Sequence, residues 1–290
     1  CYIINSVIER STPMQEYEKK GYLHQDFRIF HLIDKTPREF SYHYHDFYKL
    51  LIFLKGDVTY CIEGKSYDLA PYDMVLVNAG EVHRPIVHST KTYERIIIYI
   101  SPDFLHSYAG EDYDLGLCFL KAGEQHSNVL RMPSMKNSKL YQVCRELEAS
   151  FSDTDYANGL YRNLLFLEFM IQLNRATLHD TLNFMETAAG NEKILNILSY
   201  INEHLTEDIS IDALAEHFFI SKYYLMPSFK EETGYTIGNY LATKRLRYAR
   251  ELIAGGMPVT QACFECGFQN YSTFSRAYKK SFGLSPTQHH

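Results

Sequence analysis

The stretch Pro258–Pro286, PVTQACFECGFQNYSTFSRAYKKSFGLSP, decides how the rest of the chain is read. It opens on a proline, runs as an amphipathic segment to Cys266 and breaks at Gly267. A second segment extends from Asn270 to Phe282. It carries Phe274, Tyr278 and Phe282 at one-turn spacing, with Ser272, Thr273, Arg276, Lys279 and Lys280 between them. Residues four apart share a helix face, so this spacing predicts one apolar face and one polar, basic face. Two short helices joined at a glycine turn, the second basic on its outer side, form the pattern of a major-groove reader. Cys263 and Cys266 make a lone C-x-x-C with no second pair nearby, and are expected as small buried helix positions.

The same pattern occurs once upstream. Ile194, Leu195, Leu198, Ile201 and Leu205 predict an amphipathic helix, and Ser210 and Ser221 stand where N-caps of the next two helices are expected. Gly234 is placed to cap the second of these, and a connecting helix is expected from about Ile237 to Ala254, where Gly255 and Gly256 stop it. On the first reader helix Lys222, Tyr223, Met226, Ser228 and Lys230 are expected outside, with Leu225 and Phe229 inside. Pro227 lies beyond the first turn, where a proline costs a helix about 3 kcal/mol. It predicts either a kink or a weakened reader.

Before residue 190 the periodicity changes. From Tyr22 to about Ile100, short runs rich in Ile, Val, Phe and Tyr are punctuated by Gly, Pro, Asp and Asn: FRIFHLI, KLLIFLKG, VTYCIEG, KSYDLA, DMVLVNAG and TYERIIIYIS. Such runs predict an all-β barrel or sandwich enclosing a small cavity. KLYQVCRELEASF and GLYRNLLFLEFMIQLNRAT then predict two helices, the second with Leu160, Leu164, Leu167, Met170 and Ile171 at helical spacing. The expected fold class is therefore α+β in two domains: a barrel over about 22–115 with a helical hairpin over about 138–177, a linker at 178–190, and an all-α double helix–turn–helix over 191–290. The hairpin is read as a homodimer contact, the alternative being a cap over the core. Residues 1 to about 20 are polar and expected to be irregular.

The net charge of −6 hides an asymmetry. From Ser221 onward nine Lys and Arg face four Glu, leaving +5, so the rest of the chain carries −11. An acidic body with a basic end points to one part that seeks nucleic acid and one that avoids it. No apolar run is long enough for a membrane span, and Cys1–Glu9 lacks a basic segment followed by an apolar core, so neither membrane nor secretion is expected. Six scattered Cys suit a reducing cytoplasm.

The C-terminal residues resemble the AraC-type (AraC/XylS) transcription regulators. The match is carried by Ala215, Ser221, Tyr224-Leu225, Phe229-Lys230 and Gly234, then by Ala262, Gly267-Phe268, Ser272, Phe274-Ser275-Arg276, Tyr278-Lys279, Gly283 and Ser285-Pro286. The resemblance implies two reader helices in successive major grooves of promoter DNA. It implies contacts from Tyr223, Met226 and Pro227 in the first unit, and from Asn270, Tyr271, Ser272, Arg276 and Lys279 in the second; Lys222, Ser228, Lys230 and Thr273 join them as polar residues of the same outer faces. Pro227 stands where many members have a polar or basic residue. The N-terminal half resembles the cupin-type sensor domain of such regulators through His43-x-His45, Gly56 and the segment Ala79–His83. His43 and His45 alternate on a strand, so both point one way and His83 can approach them. The resemblance places His43, His45, Tyr48 and His83 at a small-molecule effector pocket, whose Tyr and His residues suit a sugar or another polar ligand. Two readings stay open beside it: ordinary barrel-mouth residues, and a metal site. Tyr48-Lys49-Leu50 stands where metal-binding cupins carry a Glu, and Lys is no anionic ligand, so no metal and no cofactor is assigned. The function implied is a non-enzymatic, effector-responsive regulator, with contact to RNA polymerase open. The rivals are a metal-dependent cupin enzyme with a helical tail and a DNA-binding dimer with no effector.

Overall fold

The computed structural model describes residue 23 and residues 25–36, 39–88, 92–179, 182–187 and 191–288. The N-terminal arm lies outside the described residues. Seven strands come first: β1 (Phe27–Asp34), β2 (Tyr48–Lys55), β3 (Val58–Ile62), β4 (Lys65–Asp68), β5 (Met74–Val77), β6 (His83–Val87) and β7 (Tyr93–Ile100). They are followed by α1 (Pro102–His106), α2 (Leu117–Glu124), β8 (Val129–Arg131), α3 (Lys139–Ser150), α4 (Asn158–Leu178) and β9 (Asn183–Phe184). The strands form a six-stranded sheet in the order β1-β7-β2-β5-β8-β9, facing a three-stranded sheet in the order β4-β3-β6. This is the sheet-rich, cupin-like half expected.

The pleat of β2 sorts its side chains between two layers. Leu50 and Ile52 face the helices, in one core with Leu147, Phe166 and Phe169. Leu51 and Phe53 face the smaller sheet, in a second core with Tyr60, Ile62 and Tyr67. β6 was not among the expected strands because Pro85 interrupts its period. It is the edge strand of its sheet, where the missing N–H does no damage. β9 falls within the stretch read as a linker. Leu130 pairs with Phe184 and Arg131 with Asn183, so part of that stretch is pinned to the sheet.

Helix α4 buries a different stripe from the one singled out in the sequence. Leu165, Phe166, Phe169, Met170 and Leu173 are buried, whereas Leu160, Leu164 and Ile171 are exposed. The helix is apolar on two sides, and the aromatic side wins because Phe166 stacks on Phe27 with ring centroids 4.1 Å apart.

The C-terminal half holds α5 (Glu192–Glu203), α6 (Ile211–His217), α7 (Lys222–Thr233), α8 (Ile237–Ala254), α9 (Val259–Glu265) and α10 (Tyr271–Phe282). Pro227 does not end α7, which continues from Lys222 to Thr233 around it. Cys263 and Cys266 are fully buried as expected, and the Cys266 thiol donates to the Cys263 carbonyl at 3.2 Å. Among the described residues, no helix is long and apolar enough to cross a membrane.

The two halves share a core. Tyr42, Cys61 and Val82 from the barrel pack with Ile194, Leu198, Tyr235 and Leu241 from the helical half. Gly234, at φ +78°, ends α7 directly against the Tyr42 ring, 2.8 Å from where a Cβ would stand. Only glycine satisfies both the left-handed backbone and the close approach.

Candidate functional site

The helical half presents two surface helices. In each unit the start of the second helix is capped by a side chain. Ser221 Oγ accepts from Tyr224 N at 3.2 Å, and Asn270 Oδ1 accepts from Thr273 N at 3.0 Å. On α7 the structure leaves Lys222, Tyr223, Met226, Pro227 and Lys230 exposed and Ser228 half-buried, while Leu225 and Phe229 are fully buried. On α10 it leaves Ser272, Thr273, Arg276 and Lys279 exposed, with Tyr271 half-buried against Phe274 and Tyr278. Exposed Asn270 precedes that helix as its cap. The residues expected at DNA therefore share two outward faces.

Not all of the basic surplus lies on those faces. Arg245 on α8 donates through Nε to the Leu205 carbonyl at 2.8 Å, clamping the end of the α5 turn. Lys244, also on α8, reaches Glu63 of the barrel at 3.4 Å. The count of +5 includes these two, yet one is a structural clamp and the other an interdomain ion pair.

The barrel holds a half-open cavity of about 250 Å³ between its sheets, lined in part by His43, His45, Lys49, Tyr60, Arg95 and Tyr99. His43 forms a bridge with His83 of β6, and their rings lie 4.5 Å apart. His43 Nδ1–H donates to the Ser41 carbonyl and His83 Nδ1–H to the Glu81 carbonyl, each at 2.9 Å. That tautomer turns Nε2 of His83 into an acceptor, and Lys49 Nζ donates to it at 3.1 Å. Burial, then Arg95, pushes the Lys49 amine down to about 7. Burial, then the Lys49 charge and the two neighbouring imidazoles, holds His83 well below the usual histidine range, so its ring is neutral near pH 7. Burial raises the phenols of Tyr60 and Tyr93, which remain donors.

His43, His45 and His83 are all buried, and their ligand atoms lie within 4.8 Å of one another. Three imidazoles so placed can close on a divalent ion. The group against His83, however, is an amine that is cationic at and below about pH 7, where a metal site would carry an anion. The donor set fits an anionic or polar guest better.

Of the residues expected at the effector pocket, His43, His45 and His83 come together and Tyr48 does not join them. Tyr48 lies on the opposite face of β2, with its ring 4.6 Å from that of Phe119. It lines a larger cavity, about 600 Å³, between the halves, which His45 also reaches, together with Asp103, Arg247, Arg250 and Glu251. Lys49, Tyr60, Tyr93, Arg95 and Tyr99 were missed. Lys49 and Arg95 are buried charges at inward positions of β2 and β7, and that becomes visible only once the register is known.

Among the described residues, one chain segment has the barrel cavity on one side and the helical half on the other. In the segment Tyr42–His45, His43 and His45 line the cavity, while Tyr42 and Tyr44 pack on the helical half. Tyr42 Oη donates to the Glu232 carbonyl at 3.1 Å. Val82 and His83 divide the same way, Val82 packing outward and His83 inward.

The comparisons with known proteins bear on both halves. Residues 30–168 match the AraC-like ligand binding domain, and residues 214–289 match a helix-turn-helix domain. The chain is 25% identical over 249 residues, 86% of each chain, to the HTH-type transcriptional activator RhaS of Shigella sonnei. Among solved structures it is similar to ToxT from Vibrio cholerae, at 15% identity over 91% of this chain and 97% of that one, with a TM-score of 0.36. It is also similar to the DNA-binding domain of AdpA in complex with a target DNA, at 23% identity over 33% of this chain and 87% of that one, with a TM-score of 0.32.

Proposed function

The chain belongs to the AraC-type regulators, which join a ligand-binding domain to a helix–turn–helix domain, and from this premise we propose that it is an activator switched by a small molecule held inside its barrel. The observation that carries this is the shared segment Tyr42–His45. A guest that moves His43, His45 or His83 moves Tyr42, Tyr44 and Val82 on the other side, and these are packed on the helices that carry α7. A ligand shifts such an equilibrium only by its differential affinity for two arrangements. The Glu63–Lys244 pair and the Tyr42–Gly234 contact are the features that differ if the halves rearrange.

On this reading promoter DNA meets Lys222, Tyr223, Met226, Pro227, Ser228 and Lys230 on α7, and Asn270, Tyr271, Ser272, Thr273, Arg276 and Lys279 at α10. Arg276 is the base reader, suited to guanine O6 and N7, and Lys279 holds a phosphate. The second unit reads more of the sequence, because Pro227 removes one backbone donor and one side-chain contact from α7. The exposed stripe Leu160, Leu164 and Ile171 on α4 joins two copies, the partner stripe being its symmetry mate. The protein acts in the cytoplasm and is not an enzyme, with 1–177 as the effector and dimer half and 191–290 as the DNA half. Contact with RNA polymerase follows from the activator role. The test is pull-down of genomic DNA by the full chain with and without candidate metabolites. Enrichment of discrete sites that changes with one metabolite supports the reading, and no site enrichment under any condition overturns it.

A further inference from the structure

The charge pattern of the barrel cavity restricts what it can hold. Lys49 and Arg95 line it, each 5% exposed, and among the described residues no carboxylate does. Arg95 is anchored from behind by Asp34, Nη1 to Oδ2 at 2.7 Å. Lys49 has no ion-pair partner among the described residues; its amine donates to the neutral Nε2 of His83 and lies 5.6 Å from the centroid of the Tyr60 ring. Tyr60 and Tyr93, both buried, line the same space, and their hydroxyls make no hydrogen bond among the described residues. Buried polar groups left this way are costly, and one amine without a counter-charge, beside an arginine held by Asp34 and two idle O–H donors, makes a site awaiting acceptors.

We propose that the effector is an organic anion whose carboxylate sits between Lys49 and Arg95 and accepts hydrogen bonds from the Tyr60 and Tyr93 hydroxyls. This rests on the barrel being the effector site. A cavity of about 250 Å³ takes a body no larger than a hexuronic acid, with His43, His45 and Tyr99 also on its wall. A neutral sugar would leave the Lys49 charge unanswered. A carboxylate satisfies charge and donors together, and charge-assisted hydrogen bonds are the strong ones. Because His83 accepts from Lys49, drawing the amine toward a carboxylate releases His83 Nε2 beside the segment shared with the helical half. Ligand charge is thereby tied to the switch.

The test is thermal unfolding of the full chain at constant pH and ionic strength with sodium acetate, sodium glucuronate, sodium phosphate, glucose or zinc chloride. Acetate or glucuronate is expected to raise the midpoint, and Lys49→Met is expected to lower carboxylate affinity about 10- to 100-fold. Tyr60→Phe, which keeps the ring, is expected to lower it less. The inference is overturned if no carboxylate raises the midpoint, if phosphate or zinc alone does so, or if the carboxylate shift survives in Lys49→Met. A glucose shift that His45→Ala removes and Lys49→Met leaves intact overturns the anion and keeps the barrel as effector site. Loss of that site altogether is read separately: neither charged nor neutral compounds shift the midpoint, and DNA affinity is the same in Lys49→Met as in the wild type.

Discussion

Replacing Lys49 by Met should make the unliganded protein more stable, by an amount that depends on pH in a calculable way. The amine lies inside the barrel and titrates at about 7, against an ordinary 10.5. Holding it charged in the fold therefore costs up to about 5 kcal/mol, at about 1.4 kcal/mol per pH decade of displacement. Because the folded value lies below the unfolded one, the unfolded chain holds the extra proton between pH 7 and 10.5. The wild type consequently gains stability as pH rises through that window, and the full cost is present below it. Met fills similar volume and carries no charge, so the variant lacks this dependence. Its advantage should be about 2–4 kcal/mol at pH 7 and should shrink by about 2 kcal/mol by pH 9. Urea unfolding of both proteins at the two pH values, in chloride buffer, reads the difference directly, and other titrating groups cancel between them. An advantage that stays constant with pH, or a variant less stable than the wild type at pH 7, would refute the placement of a charged, unanswered amine in the barrel.

Other outcomes follow from the two reader helices, from α4 and from the interdomain pair. Arg276→Ala should cost about 1–3 kcal/mol of affinity for a selected site and relax preference at one base, measured by anisotropy across single-base variants. Lys279→Ala should weaken all sequences alike and lower the salt slope by about 1. Pro227→Arg restores a backbone donor and adds a cation on the exposed face of α7, so both DNA affinity and the unfolding midpoint should rise; a fall in either shows that the proline is not a defect. Leu164→Lys, placed in the exposed stripe of α4, should convert dimer to monomer in sedimentation equilibrium without changing the circular dichroism spectrum. Glu63→Gln removes the charge facing Lys244 and should loosen the halves, seen as faster hydrogen exchange in α8 with little change inside the barrel.

Much of the helical half was legible because local signals agree there. Ser210, Ser221 and Asn270 cap the helices they precede, and Gly234 and Gly283 end α7 and α10 in the left-handed conformation. Helix caps and a 3.6 period are properties of a few neighbouring residues. The strands were legible where period and turn residues coincided, and β6 was lost to Pro85. The buried face of α4 was not legible, because LLFLEFMI offers two apolar stripes and only the packing of Phe27 on Phe166 chooses between them.

The site was half legible for a related reason. His43, His45 and His83 drew attention as residue types that carry chemistry. Lys49 and Arg95 share their strands with other charges, Lys55 and Glu94, and a charge there reads as an outward position until register is known. Register also separates Tyr48 from the histidines: it neighbours Lys49, and the pleat sends the two to opposite faces. The coupling was hidden because it depends on which helices cover Tyr42 and Val82, residues far from α7 and α8 in sequence.

The central link is whether occupancy of the barrel is felt at the DNA. The measurement is the affinity of the full chain for a site selected from genomic DNA, with and without the carboxylate that raises its unfolding midpoint, repeated in Tyr42→Ala. Coupling through the shared segment predicts a change of at least about fivefold in the wild type, in either direction, and its loss in Tyr42→Ala with ligand binding retained. Equal DNA affinity with the barrel full and empty would contradict it.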